Sequence, residues 1–211
     1  MRNMKLRKML LAAMFLALGV LLPLLVGHTI PMGYRLLPMH IPVLLCGFLC
    51  GAPWGLAVGF VTPLLNSLLT GMPDPVTAGA MMFELATYGL MAGALYRALP
   101  KKIVFLYAAL IVAMIGGRVV WGAAVYVEYI MGLLGGEFTL TWGYLVSSGV
   151  LNMWMGIAIQ IVLIPALMIA LRRTAILREV TEDGNKGIAA EPLPAVSADA
   201  DSGSGEADLP K

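Results

Sequence analysis

Residues Met9–Val26 carry no charged or strongly polar side chain. Eighteen such residues in a row make a helix of about 27 Å, close to the ~30 Å hydrocarbon core of a bilayer. Further apolar stretches of similar or greater length follow, separated by short segments rich in Gly, Pro, Lys and Arg. In lipid every backbone amide must be satisfied within the protein, and segments of this length satisfy theirs as helices. The composition agrees: 60% of the 211 residues are hydrophobic and 12% charged, against about 45–50% apolar and 25% charged in soluble domains. The chain reads as an all-α membrane protein. The basic cluster before Met9 resembles the start of a secretory signal, but the apolar run exceeds the usual ~7–15 residues and no small-x-small cleavage site follows. It reads as a retained first helix.

Six transmembrane helices are expected, at about 8–27, 39–51, 54–69, 76–99, 103–132 and 140–171. Arg2, Lys5, Arg7, Lys8, Arg97, Lys101, Lys102, Arg172, Arg173 and Arg178 fall on one side, and only Arg35 falls in a loop on the other. The positive-inside rule then puts both termini in the cytoplasm. The second helix is short, about 20 Å at ~1.5 Å per residue, and should begin below the outer surface with His40 and Pro42 at its start. A tight Gly51–Gly55 connection makes helices two and three antiparallel neighbours, and Gly47, Gly51, Gly55 and Gly59 permit close packing. The last two helices are longer than the core is thick, so they must tilt, kink or project. Residues 1–178 form the membrane domain. Residues 179–211 turn to Ala, Ser, Gly, Asp, Glu and Pro, a composition that cannot bury enough apolar surface to order itself, and read as a disordered acidic tail. No basic patch points to nucleic acid. Cys46 and Cys50 share a helix face without a His or acidic neighbour, which fits packing rather than a metal site.

Against this background, polar groups inside the helices stand out. Glu84 lies about 12 Å below the outer turn Gly71–Pro75, Arg118 about 22 Å up from the inner side, and Asn152 about 18 Å down helix six. All three fall between the outer half and the midplane. Tyr88 is one turn below Glu84, Trp121 about one turn from Arg118, and His40 near the outer surface. Intramembrane ionisable groups are costly and by default mark function. Two readings stand: Glu84 and Arg118 neutralise each other structurally, or they line a site open to the outside. Thr62, Asn66 and Thr70 form a stripe at i, i+4, i+8, which serves either interhelical hydrogen bonding or a cavity wall. His40 and Asn152 could equally be satisfied by backbone carbonyls. Trp142 and Tyr144 sit where aromatic belts occur. The chain has no His-Glu-x-x-His, no Gly-x-Ser-x-Gly and no Lys-bearing phosphate loop. No enzymatic activity, metal or cofactor is expected, and uphill transport would need an ion gradient or a partner.

Several segments in order resemble the substrate-binding S components of energy-coupling factor (ECF) vitamin transporters. They are Ala13-x-x-x-Ala17, Leu37-Pro38-Met39-His40-Ile41-Pro42-Val43, Leu69–Pro73, Met81-Met82-Phe83-Glu84-Leu85 with Tyr88-Gly89, and Ala113-Met114-Ile115-Gly116-Gly117-Arg118. The resemblance covers about residues 8–173. It implies a subunit that captures a vitamin or vitamin precursor from outside and docks on a transmembrane coupling subunit driven by two cytoplasmic ATPases, in the cell membrane of a bacterium. It assigns Ala13 and Ala17 to the docking face and makes lids of His28–Pro38 and Gly71–Pro75. The branch is similar to members assigned to pantothenate, with B6-type or benzimidazole-type precursors close behind; the expected binding residues are Arg118, Glu84, Asn152, His40, Tyr88, Trp121 and Asn66. Two other readings stay open: a self-sufficient ion-coupled carrier with Glu84 as its proton site, and a structural membrane subunit without a ligand.

Overall fold

The computed structural model describes residues 2–29, 36–100, 102–134, 141–148 and 154–172. They form seven helices: α1 (Arg2–Thr29), α2 (His40–Cys50), α3 (Ala52–Thr70), α4 (Pro75–Ala98), α5 (Ile103–Ile130), α6 (Trp142–Val146) and α7 (Trp154–Arg172). Among the described residues, five of these, α1, α3, α4, α5 and α7, contain segments long and apolar enough to cross a membrane. The acidic tail lies outside the described residues.

The short second helix is the centre of the fold. Every residue of α2 except Ile41 is buried. At 11 residues it spans about 16 Å, half a bilayer core. α1 and α3 pack on each other and on α2, α3 has its largest interface with α4, and α2, α4, α5 and α7 close a ring in which each packs on the next.

Glycine sets how closely the inner helices approach. α2 ends at Gly51, whose φ of +99° only glycine adopts readily; its N–H donates to the Gly47 carbonyl, and Arg97 donates to the Cys50 carbonyl at 3.3 Å. A Cβ on either Gly47 or Gly55 would stand 2.5 Å from the Gly89 carbonyl oxygen. Backbones of α2, α3 and α4 therefore meet almost directly, the arrangement that small residues make possible between membrane helices. Gly89→Ala is expected to destabilise the protein by about 1–3 kcal/mol, as overpacking of a close-packed interior does. Thermal unfolding in detergent measures it, and an unshifted midpoint would count against the crossing.

α4 begins with a side-chain cap. Asp74 Oδ2 accepts from the Thr77 N–H at 3.0 Å, and Pro75 occupies the first turn, where its missing N–H is not needed. The Thr77 hydrogen bond holds the Asp74 carboxyl below its ordinary value of 3.8. A carboxylate so lowered stabilises the fold above its unfolded-state pKa, and that stability is lost as pH falls through the folded-state value. Asp74→Ala is expected to cost about 1 kcal/mol at neutral pH. The difference from wild type should shrink below pH 3.8. Unfolding of both proteins at neutral pH and at about pH 3 checks this.

The sixth helix, expected over 140–171, is described in two parts, α6 and α7; residues 149–153 between them lie outside the described residues. The α6 hydrogen bonding widens into a π turn at Ser147 and Ser148. Ser147 Oγ donates to the Tyr144 carbonyl at 3.1 Å, the kind of local side-chain bond that competes with regular helix.

Candidate functional site

Where α2, α4 and α5 converge, the structure buries a charged cluster. The N-terminal residue of α2, His40, is fully buried, as is Glu84 of α4. An Nη1 of Arg118, from α5, stands 3.1 Å from Glu84 Oε1, and His40 Nε2 stands 3.6 Å from the same oxygen. Tyr88, one turn along α4, sets its ring 5.3 Å from that of His40 in a tilted stack. Trp121, one turn along α5, lies with its ring centroid 6.0 Å from the Arg118 guanidinium carbon, within cation–π reach.

The local sequence explains why these groups can meet. A Cβ on Gly117 would collide with the Tyr88 ring, so glycine beside Arg118 lets that ring lie against the α5 backbone. Gly116 likewise makes room for the Met91 thioether. The early start of α2, well short of a full span, is what brings His40 to the level of Glu84.

The cluster is charged but not saturated. Neither contact to Glu84 Oε1 has hydrogen-bond geometry. Both ring nitrogens of His40, and Nε and Nη2 of Arg118, are buried without a hydrogen-bond partner. Removing one member of a buried ion pair costs about 3–5 kcal/mol, because the other charge is stranded. Here the pairing itself leaves donors open. Nε and Nη2 form the side-on edge of the guanidinium, whose parallel N–H groups match the two oxygens of a carboxylate. Arg118 turns its Nη1 toward Glu84 and keeps that edge unengaged.

The other expected site residues fall elsewhere. Asn66 is buried, but its amide nitrogen donates to the Gly19 carbonyl at 3.1 Å and to the Thr62 carbonyl at 3.0 Å, tying α3 to α1. Thr62 and Thr70 donate to Val58 and Asn66 carbonyls, so the polar stripe of α3 serves hydrogen bonding within and between helices. Asn152 lies outside the described residues, as does most of the His28–Pro38 loop. Ala13 and Ala17 are both exposed on α1, on the side away from buried Ala12 and Phe15. Cys46 and Cys50 are free thiols packed in the core. One residue was not anticipated: Gln160 of α7, fully buried with both amide atoms unpartnered. Its signal was the lone uncharged polar side chain in the apolar run Trp154–Leu171.

Among the described residues the protein is all-helical and multi-pass, with an incompletely hydrogen-bonded polar cluster between α2, α4 and α5. The family described as ECF transporter, substrate-specific component, matches residues 7–168, and the chain belongs to it. No curated protein and no solved structure matches the sequence. The chain is thus a membrane substrate-binding subunit of the ECF type, a transporter component and not an enzyme, and it works in association with ECF module partners.

Proposed function

We propose that the chain captures pantothenate, or a closely similar carboxylate vitamin precursor, from outside the cell for ATP-driven uptake. In this reading both termini lie in the cytoplasm of a bacterium, and the subunit docks through Ala13 and Ala17 on a transmembrane coupling subunit powered by two ATPases. The observation that carries the choice of substrate is the buried, unpartnered Nε/Nη2 edge of Arg118. A neutral heterocycle can offer that edge only uncharged acceptors, and such hydrogen bonds are roughly half as strong as those to a carboxylate. A carboxylate closes it with two hydrogen bonds. Glu84 holds the opposite end of the guanidinium, so the fork is aimed before the ligand arrives. His40 and Tyr88 complete the polar wall, and Trp121 covers the guanidinium.

The test is mass spectrometry of small molecules released from the gently purified protein, followed by calorimetric titration of pantothenate into the emptied chain. Retention of a carboxylate, with saturable pantothenate binding, supports the reading. Retention of a neutral heterocycle, with no response to pantothenate, overturns it.

A further inference from the structure

Gln160 is fully buried, and neither its Oε1 nor its Nε2 has a hydrogen-bond partner. Such a side chain is expensive to keep in an apolar interior, since each stranded polar group forfeits the hydrogen bonds it made in water. It shares with Gly156, Ile164 and Met168 the buried face of α7, at the four-residue spacing of a single helical stripe. Ile164 and Met168 belong to the central core with α2 and α5 residues. Gln160 therefore points inward, toward the interior of the ring formed by α2, α4, α5 and α7.

Its height matches that of the charged cluster. Glu84 stands fourteen residues before the end of α4 at Ala98, and Arg118 fifteen residues after the start of α5 at Ile103. His40 stands ten residues before Cys50, and Gln160 twelve before Arg172. At ~1.5 Å per residue these are about 21, 22, 15 and 18 Å from the helix ends on the side where Arg97, Lys102 and Arg172 lie. Each helix of the ring thus contributes a polar side chain at a similar level, within little more than one helical turn.

We infer that Gln160 is a ligand-binding residue of this layer, forming the fourth wall opposite the charged cluster, and that it selects a neutral donor–acceptor group on a carboxylate ligand. This rests on the carboxylate reading given above. A primary amide carries donors and an acceptor side by side. A second carboxylate or an ammonium would satisfy only one of them, whereas an amide or hydroxyl group satisfies both. This layer then suits a small acid with its carboxylate on Arg118 and an amide or hydroxyl at Gln160, so a plain alkyl acid of the same length would be rejected.

The experiment compares wild type with Gln160→Leu, which keeps similar bulk and removes both polar atoms, in the full detergent-solubilised chain. Two readouts are taken: the ligand-free melting temperature and the affinity for pantothenate. The ligand-free variant should melt at the wild-type temperature or above, because it removes unpartnered polar atoms. Pantothenate affinity should fall about 10- to 100-fold, the consequence of stranding a ligand polar group. Affinity within about threefold of wild type would overturn the inference. So would a lower melting temperature of the ligand-free variant, which would show the amide to be a structural hydrogen-bonding group. Failure of the wild-type chain to bind pantothenate would count against the substrate reading instead, and the melting comparison would still decide the role of Gln160.

Discussion

Arg118→Ala is expected to reduce pantothenate binding to near background while leaving the protein able to insert and fold in the membrane. The side-on edge of Arg118, Nε and Nη2, is buried without a hydrogen-bond partner, and truncating one partner of a buried, hydrogen-bonded charge pair costs about 2–5 kcal/mol, some 30- to several-thousand-fold in affinity. Arg118→Lys should not rescue, because an ammonium is a point charge and cannot present two parallel N–H groups to a carboxylate. The lysine variant separates charge from geometry: recovery of wild-type affinity with Lys would mean that a bidentate fork is not what the ligand meets. Titration calorimetry of both variants reads the difference directly.

The second large effect concerns assembly. Ala13→Leu together with Ala17→Leu should prevent stable association with the coupling subunit and ATPases, and so abolish uptake, without altering ligand affinity of the isolated chain. Both alanines are exposed on α1, while the buried face of the same helix, with Phe15, packs inward. The alanines therefore form a shallow strip available to another helix, and bulky side chains there would hold a partner backbone away. Because the strip lies off the α1 core face, the double substitution leaves the bundle intact. Co-purification with the coupling module tests this; undiminished assembly of the double variant would remove Ala13 and Ala17 from the interface.

Much of this arrangement was legible in the sequence because lipid enforces a simple rule: charge inside an apolar run needs a reason. Glu84 and Arg118 announce themselves that way, and the heights counted along their helices bring them to one level. The shortness of α2 was legible from the closeness of the Gly51–Gly55 turn to Pro38. That α2 becomes the buried centre of the bundle was not, since a uniformly apolar helix looks the same facing lipid or protein. Asn66 could be read either way from its stripe, and only the tertiary approach of α1 at Gly19 decides where its amide donates. Gln160 was overlooked because it carries no charge. An uncharged amide costs far less in an apolar run than a carboxylate, and its importance appears only when the fold leaves it buried without a partner.

The central claim is that Arg118 is held by Glu84 so that it can grip a ligand. The alternative is a self-contained pair whose only task is to cancel two buried charges. The double variant Glu84→Gln, Arg118→Gln separates them, since it removes both charges together and leaves neither stranded. In both accounts the variant should fold. Calorimetric titration of pantothenate into this double variant should show affinity lowered at least 30-fold if Arg118 meets the carboxylate; near-native affinity would contradict the account.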